Sequence, residues 1–119
     1  VAKSNQSLFE IFPFETLNRR EGDCEDFSIL VANMMIASGI PSWRVRINAG
    51  NVRDPANYNL KVGHAYITYC RQKDNQWYIL DATYWFEKTT DFKLKWKTAE
   101  DYFDIWFSFS KDSIFTDKA

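Results

Sequence analysis

From Asp23 onward the apolar positions recur with helical spacing. Phe27, Leu30, Val31, Met34 and Met35 follow an i, i+3, i+4 pattern, and Ile29, Ala32, Ile36 and Ala37 fill the remaining faces. A helix that is apolar on every side has to be buried, so the pattern predicts a central helix over 23–38 with Met34 and Met35 in the core. Asp23 suits its N-cap, and Glu25 and Asp26 oppose the macrodipole in the first turn. Gly39 and Pro41 stop it. Upstream, residues 8–12 make a short apolar run broken by Pro13, after which 14–20 read as one or two helical turns.

Downstream the period changes to two. Trp43, Val45, Ile47 and Ala49 alternate with Arg44, Arg46 and Asn48, which predicts a half-buried strand. Residues 50–62, with Gly50, Asp54-Pro55 and several asparagines, predict a long polar loop leading to His64. Residues 64–71 and 77–81 read as a hairpin closed by Lys73-Asp74-Asn75-Gln76. Alternation puts His64, Tyr66, Thr68 and Cys70 on one face and Ala65, Ile67 and Tyr69 on the other. Phe92, Leu94 and Trp96 alternate with lysines as in an edge strand. Thr98-Ala99-Glu100-Asp101 has the form of a capping box, predicting a short helix that carries Tyr102, Phe103 and Trp106, and the last dozen residues add an extended segment.

Composition narrows the function. A length of 119 residues implies one domain over 1–119, and 45% hydrophobic residues give it a core. Aromatics at 18% make that core, and any cleft, rich in rings. A formal net charge of −1 lacks the footprint of a nucleic-acid binder. No run reaches the ~18 apolar residues of a membrane span and no signal peptide is visible, so no membrane partner is expected and the cytoplasm is favoured. A chain that starts at Val1 reads as excised from a longer one. Two cysteines, a single histidine and no CxxC exclude a structural zinc, and no cofactor is expected.

The candidate chemistry lies in Cys24, His64 and Asp81. A helix's first turn carries unpaired N–H groups and partial positive charge, both of which favour a thiolate. His64 is the only histidine, at the start of a strand, and Asp81 ends the apolar run 77–80. Each has a plainer explanation: a structural cysteine, a packed histidine, a strand-end turn former. Together they are the nucleophile, base and orienting carboxylate of thiol acyl transfer. Cys70, at a strand end, reads as a small half-buried residue.

The ordered segments Gly22-Asp23-Cys24-Glu25-Asp26-Phe27, Ser38-Gly39-Ile40-Pro41, Gly63-His64-Ala65-Tyr66 and Trp77-Tyr78-Ile79-Leu80-Asp81-Ala82-Thr83 resemble the transglutaminase-like core, over roughly 14–85. The resemblance implies a papain-like α+β fold, with the nucleophile helix packed against an antiparallel sheet. It implies Cys24 as nucleophile, His64 as general base and acid, and Asp81 as the residue that orients the imidazole. A ring nitrogen of His64 should then lie within ~4 Å of the sulfur, and the other at about 2.7–3.2 Å from Asp81. The implied activity is a thiol peptidase or amidase acting on a protein or peptide through a thioester. A transglutaminase joining glutamine to an amine, or a binding module that keeps the fold without turnover, are the alternatives. The aromatics Trp43, Trp77, Tyr84 and Trp85 are candidates to line an open groove. Two features depart from the pattern: Phe9, Phe12 and Phe14 stand where relatives often carry an upstream Trp, and the N-terminal part is short. Some relatives bind calcium through an Asp-Cys-Glu-Asp segment. Asp23, Glu25 and Asp26 match it, but helix N-terminal charge accounts for them without a metal.

Overall fold

A computed structural model describes residues 7–11, 22–81 and 83–119, without the side chains of 10, 11, 22, 23, 25, 86 and 90. The predicted turns at 14–20, and Phe12 and Phe14, lie outside the described residues. Helices α1 (Leu8–Ile11) and α2 (Gly22–Ala37) precede strands β1 (Val45–Asp54), β2 (Asn57–Cys70) and β3 (Trp77–Leu80). A short helix α3 (Phe86–Thr89) and strands β4 (Tyr102–Phe109) and β5 (Ile114–Phe115) follow. The strands form one antiparallel sheet in the order β3-β2-β1-β4-β5. The chain is a mixed α+β fold, as the resemblance implies.

The predicted loop over 50–62 is instead the far end of a long hairpin. Asn51 pairs with Gly63 and Val52 with Val62, up to a turn at Pro55-Ala56. Pro55 pre-sets the turn's φ, and the Asp54 carboxylate accepts the Ala56 N–H at 2.9 Å. Residues 57–61 are exposed, Tyr58 and Leu60 included, so this end of the ladder stands off the core and is held by backbone pairing.

The predicted helix beyond Thr98 is also a strand. β4 pairs with β1, Ile47 opposite Phe109 and Val52 opposite Tyr102, with irregularities on either side of Gly50. Phe103, Ile105 and Phe107 alternate with exposed Asp104 and Trp106, and such a segment gains more from a central strand's ladder than from a helical turn. The expected edge strand at 92–96 reduces to one bridge, Tyr78 to Lys95, and Trp96 turns wholly inward.

Both faces of the sheet are covered. Under α2 lie Phe9, Cys24, Ala32, Val45, Ile47, Ala65, Ile67 and Phe109. On the other face Val52, Tyr66, Ile79, Trp96, Ala99 and Tyr102 make a second, ring-rich core. Helix α2 packs on the sheet by one side only. Cys24, Ser28 and Ala32, one turn apart, are buried, whereas Phe27, Leu30 and Met34 are exposed. The expectation that Met34 belongs to the core is therefore corrected, and Met35 is partly buried against it. A helix on a sheet meets a single layer, so its outward apolar positions find no partner among the described residues. Among the same residues no helix is long and apolar enough to cross a membrane.

Candidate active site

His64 sits in β2 opposite Gly50 of β1, and Asp81 directly follows β3. The hairpin register, Ile67 to Leu80, brings the two together. His64 Nε2 donates to Asp81 Oδ2 at 2.8 Å, with His64 1% and Asp81 3% exposed. A proton on Nε2 leaves Nδ1 as the basic nitrogen of the neutral ring. Nδ1 is buried and has no hydrogen-bond partner among the described residues. The imidazole lies flat against Tyr84, centroids 4.4 Å apart and planes at 13°, and Tyr66 stacks at 6.2 Å on the same face of the sheet.

Asp81 is more heavily used than its sequence position suggests. Oδ1 accepts the backbone N–H groups of Thr83 and Tyr84 at 3.0 and 3.1 Å, an Asx turn that starts the next loop. Oδ2 accepts both His64 Nε2 and the Tyr102 hydroxyl, each at 2.8 Å. The turn-former and the orienting carboxylate, set against each other from sequence, are the same residue acting through different oxygens. Its backbone is tied as well. Asp81 N–H donates to Thr89 Oγ1 at 3.0 Å, and that hydroxyl donates back to the Asp81 carbonyl at 3.1 Å.

Cys24 lies in the first turn of α2, where the helical pattern places it, and is 2% exposed. It belongs to the core under the helix together with Ala65, the residue next to His64. Strand alternation turns Ala65 and Ile67 toward the helix and His64 and Tyr66 toward the other face. Of the three sequence candidates, His64 and Asp81 are hydrogen-bonded to each other, whereas Cys24, on the helix that packs against β2, lies in the core on the other face of the sheet from the imidazole.

Cys70 is buried at the end of β2, in contact with Arg44 Nη1 at 3.7 Å. Burial pushes its thiol up, and the Arg44 guanidinium only partly offsets this, so a neutral thiol is the stable form. Neither cysteine is in a disulfide. Of the aromatics expected around a groove, Tyr84 touches the dyad. Trp77 packs under the Arg46 guanidinium at 4.6 Å, Trp85 meets Tyr58 edge-on, and Trp43 is exposed beside Arg44. The imidazole is thus covered rather than set in an open groove. Tyr102 and Thr89 were not legible as site residues. Tyr102 reads locally as helix, and Thr89 falls in a stretch without periodicity.

Of the three acidic residues matched to a calcium segment, Asp26 is exposed, and the side chains of Asp23 and Glu25 lie outside the described residues. Among the described residues no three His, Cys, Asp or Glu side chains are grouped to hold a metal.

Residues 3–82 match the model of the Transglutaminase-like superfamily. Among solved structures, Legionella pneumophila LapG is similar in its calcium-bound form, with 24% identity and a TM-score of 0.56 over 81% of this chain and 46% of that one. The EGTA-treated form gives 24% identity and a TM-score of 0.55 over 81% and 45%. The chain therefore spans less than half the length of these relatives. Comparison with curated proteins gives no significant match.

Proposed function

Since the chain belongs to the transglutaminase-like superfamily, we propose that it is a thiol-dependent hydrolase that cleaves a carboxamide of a protein or peptide, with Cys24 as nucleophile. The observation that carries this is the buried His64–Asp81 pair, bonded through Nε2, with Nδ1 uncommitted among the described residues. For the reaction the first turn of α2 has to bring Cys24 Sγ round to the imidazole; Nδ1 then takes the thiol proton, and Sγ attacks the carbonyl carbon. A helix's first turn carries N–H groups that its own ladder does not use, and those of α2 would serve as donors for the resulting oxyanion. Collapse returns the proton from Nδ1 to the leaving nitrogen and leaves a thioester on Sγ. Water then gives its proton to Nδ1, attacks the thioester and releases the acid and the thiol. Asp81 fixes the imidazole and stabilises its cation. Water is the preferred acceptor. The same residues would serve an amine, and a product carrying added hydroxylamine would identify that chemistry.

Iodoacetamide labelling tests the central step. In a Cys70→Ser background Cys24 is the only thiol. The ratio of its rates at pH 6 and pH 8 carries the answer, because access through the fold scales both alike. A histidine-paired thiolate gives a ratio near one, whereas an ordinary thiol loses about a hundredfold over that span. His64→Asn should restore the ordinary slope. A wild-type ratio that already follows the ordinary slope rules the proposal out.

A further inference from the structure

Tyr102 enters the site from a distance. It opens β4, and in the sheet both β1 and β2 lie between β4 and the strand that ends at Asp81. Its ring crosses the ring-rich face, meets Tyr66 edge-on at 4.7 Å and is 1% exposed. Packing alone would be served by phenylalanine, so the hydroxyl needs its own explanation. It donates at 2.8 Å to Asp81 Oδ2, the oxygen that also receives the imidazole, while Oδ1 is already held by two backbone N–H groups. Burial, and then Asp81 itself, push the Tyr102 phenol far above its ordinary range, so the group remains a donor wherever the protein is folded. Tyr66 provides the contrast. It is as deeply buried on the same face, but its hydroxyl accepts from Trp96 Nε1 at 3.1 Å.

We infer that Tyr102 is a positioning residue of the site: by sharing Asp81 Oδ2 with His64, its hydroxyl sets how strongly the carboxylate holds the imidazole. Two donors on one oxygen divide its lone-pair density, so removal of one strengthens the other. Tyr102 touches neither the thiol nor the reacting carbonyl; it acts through Asp81 and His64. The groups facing the carboxylate are His64 from β2, Tyr102 from β4, and the Thr83 and Tyr84 N–H groups of the loop. The inference rests on the thiol-hydrolase reading for its functional meaning, but its geometry can be tested without it.

His64 is the only histidine, so its ring resonances in an NMR spectrum need no assignment. In Tyr102→Phe the Nε2–H proton should move downfield. With 3-fluorotyrosine at position 102, a stronger donor of nearly the same shape, it should move upfield. Tyr66→Phe should leave it in place. A resonance unmoved in Tyr102→Phe, or moved equally by Tyr66→Phe, overturns the inference. If Tyr102→Phe does not fold, the fluorotyrosine protein decides alone, and an unmoved resonance there is equally fatal. For function, the acid limb of Cys24 labelling by iodoacetamide, in the Cys70→Ser background, should shift to lower pH in Tyr102→Phe. A moved resonance with an unchanged limb overturns the positioning role. A limb indifferent to His64→Asn in the otherwise unaltered protein instead overturns the hydrolase reading, and leaves the resonance result standing.

Discussion

Asp81 accepts four hydrogen bonds from a site that is 3% exposed, so its charge cannot be exchanged without consequence for the fold. In Asp81→Asn the carboxamide oxygen can still serve the Thr83 and Tyr84 N–H groups. The NH2 then faces two donors, His64 Nε2–H and the Tyr102 hydroxyl. Both lose their acceptor, and a shift of the imidazole proton to Nδ1 relieves only one, so at least one buried donor is left unpaired, at about 1–3 kcal/mol. The variant should lose its acid-range Cys24 labelling and also melt at a visibly lower temperature; an unchanged melting curve would mean that the four-donor arrangement is not formed. In sequence a strand-end aspartate shows neither its number of donors nor its burial. The His64–Asp81 pair was legible, and Cys24 stood out as a candidate beside it, because each stands in a local motif and the three occur in order along the chain. Tyr102 was not, because its only link to Asp81 runs across the sheet, and no nearby residue records it.

At the scale of elements, the β2–β3 turn and the β1–β4 pairing make separate predictions. Arg71 Nη2 at 2.7 Å, then the Tyr78 hydroxyl at 2.6 Å, hold the Asp74 carboxyl well below the usual carboxylate range. A carboxyl with a lowered folded pKa stabilises the fold above its ordinary range, and that contribution fades as pH falls through this range toward the folded value. The melting-temperature difference between the protein and Asp74→Asn should therefore be full at neutral pH and shrink under acid. It should also narrow in high salt, since the pair is exposed. A difference that persists at acid pH would place its origin elsewhere in the turn. Gly50 carries the second prediction. A Cβ there would run into the Asp104 carbonyl and lie 3.0 Å from Ile105 Cα, so Gly50→Ala must displace the β4 backbone. A loss of about 1–3 kcal/mol follows from overpacking. Because β4 carries Tyr102, the His64 Nε2–H resonance should move with it. These pairings also mark what periodicity could not read. Residues 57–61 look like a loop because their strand is exposed, and Thr98 to Asp101 look like a cap because the β1 partner that makes a strand of Tyr102 to Phe109 lies far away in sequence.

The whole molecule is a sheet covered on both faces, by α2 on one and by the ring-rich segment after β3 on the other. That arrangement was legible in outline, since the helix and the β2–β3 hairpin both lie where the pattern puts them. The depth of the helix was not legible. Leu30 and Met34 have the spacing of core residues, and only the position of the sheet decides which stripe it covers. Small side chains do the packing, with Cys24, Ser28 and Ala32 buried, while Leu30 is 57% and Met34 60% exposed. Glutamine has nearly the helix propensity of both residues, so an exchange there isolates the effect of burial. Leu30→Gln and Met34→Gln should each change the stability of this chain by no more than about 0.5 kcal/mol. Ala32→Leu, pressed between helix and sheet, should cost about 1–3 kcal/mol. Removing exposed apolar surface should also reduce any self-association seen by light scattering at high concentration. A Met34→Gln protein that melts as early as Ala32→Leu would show that the outward face of α2 is covered after all.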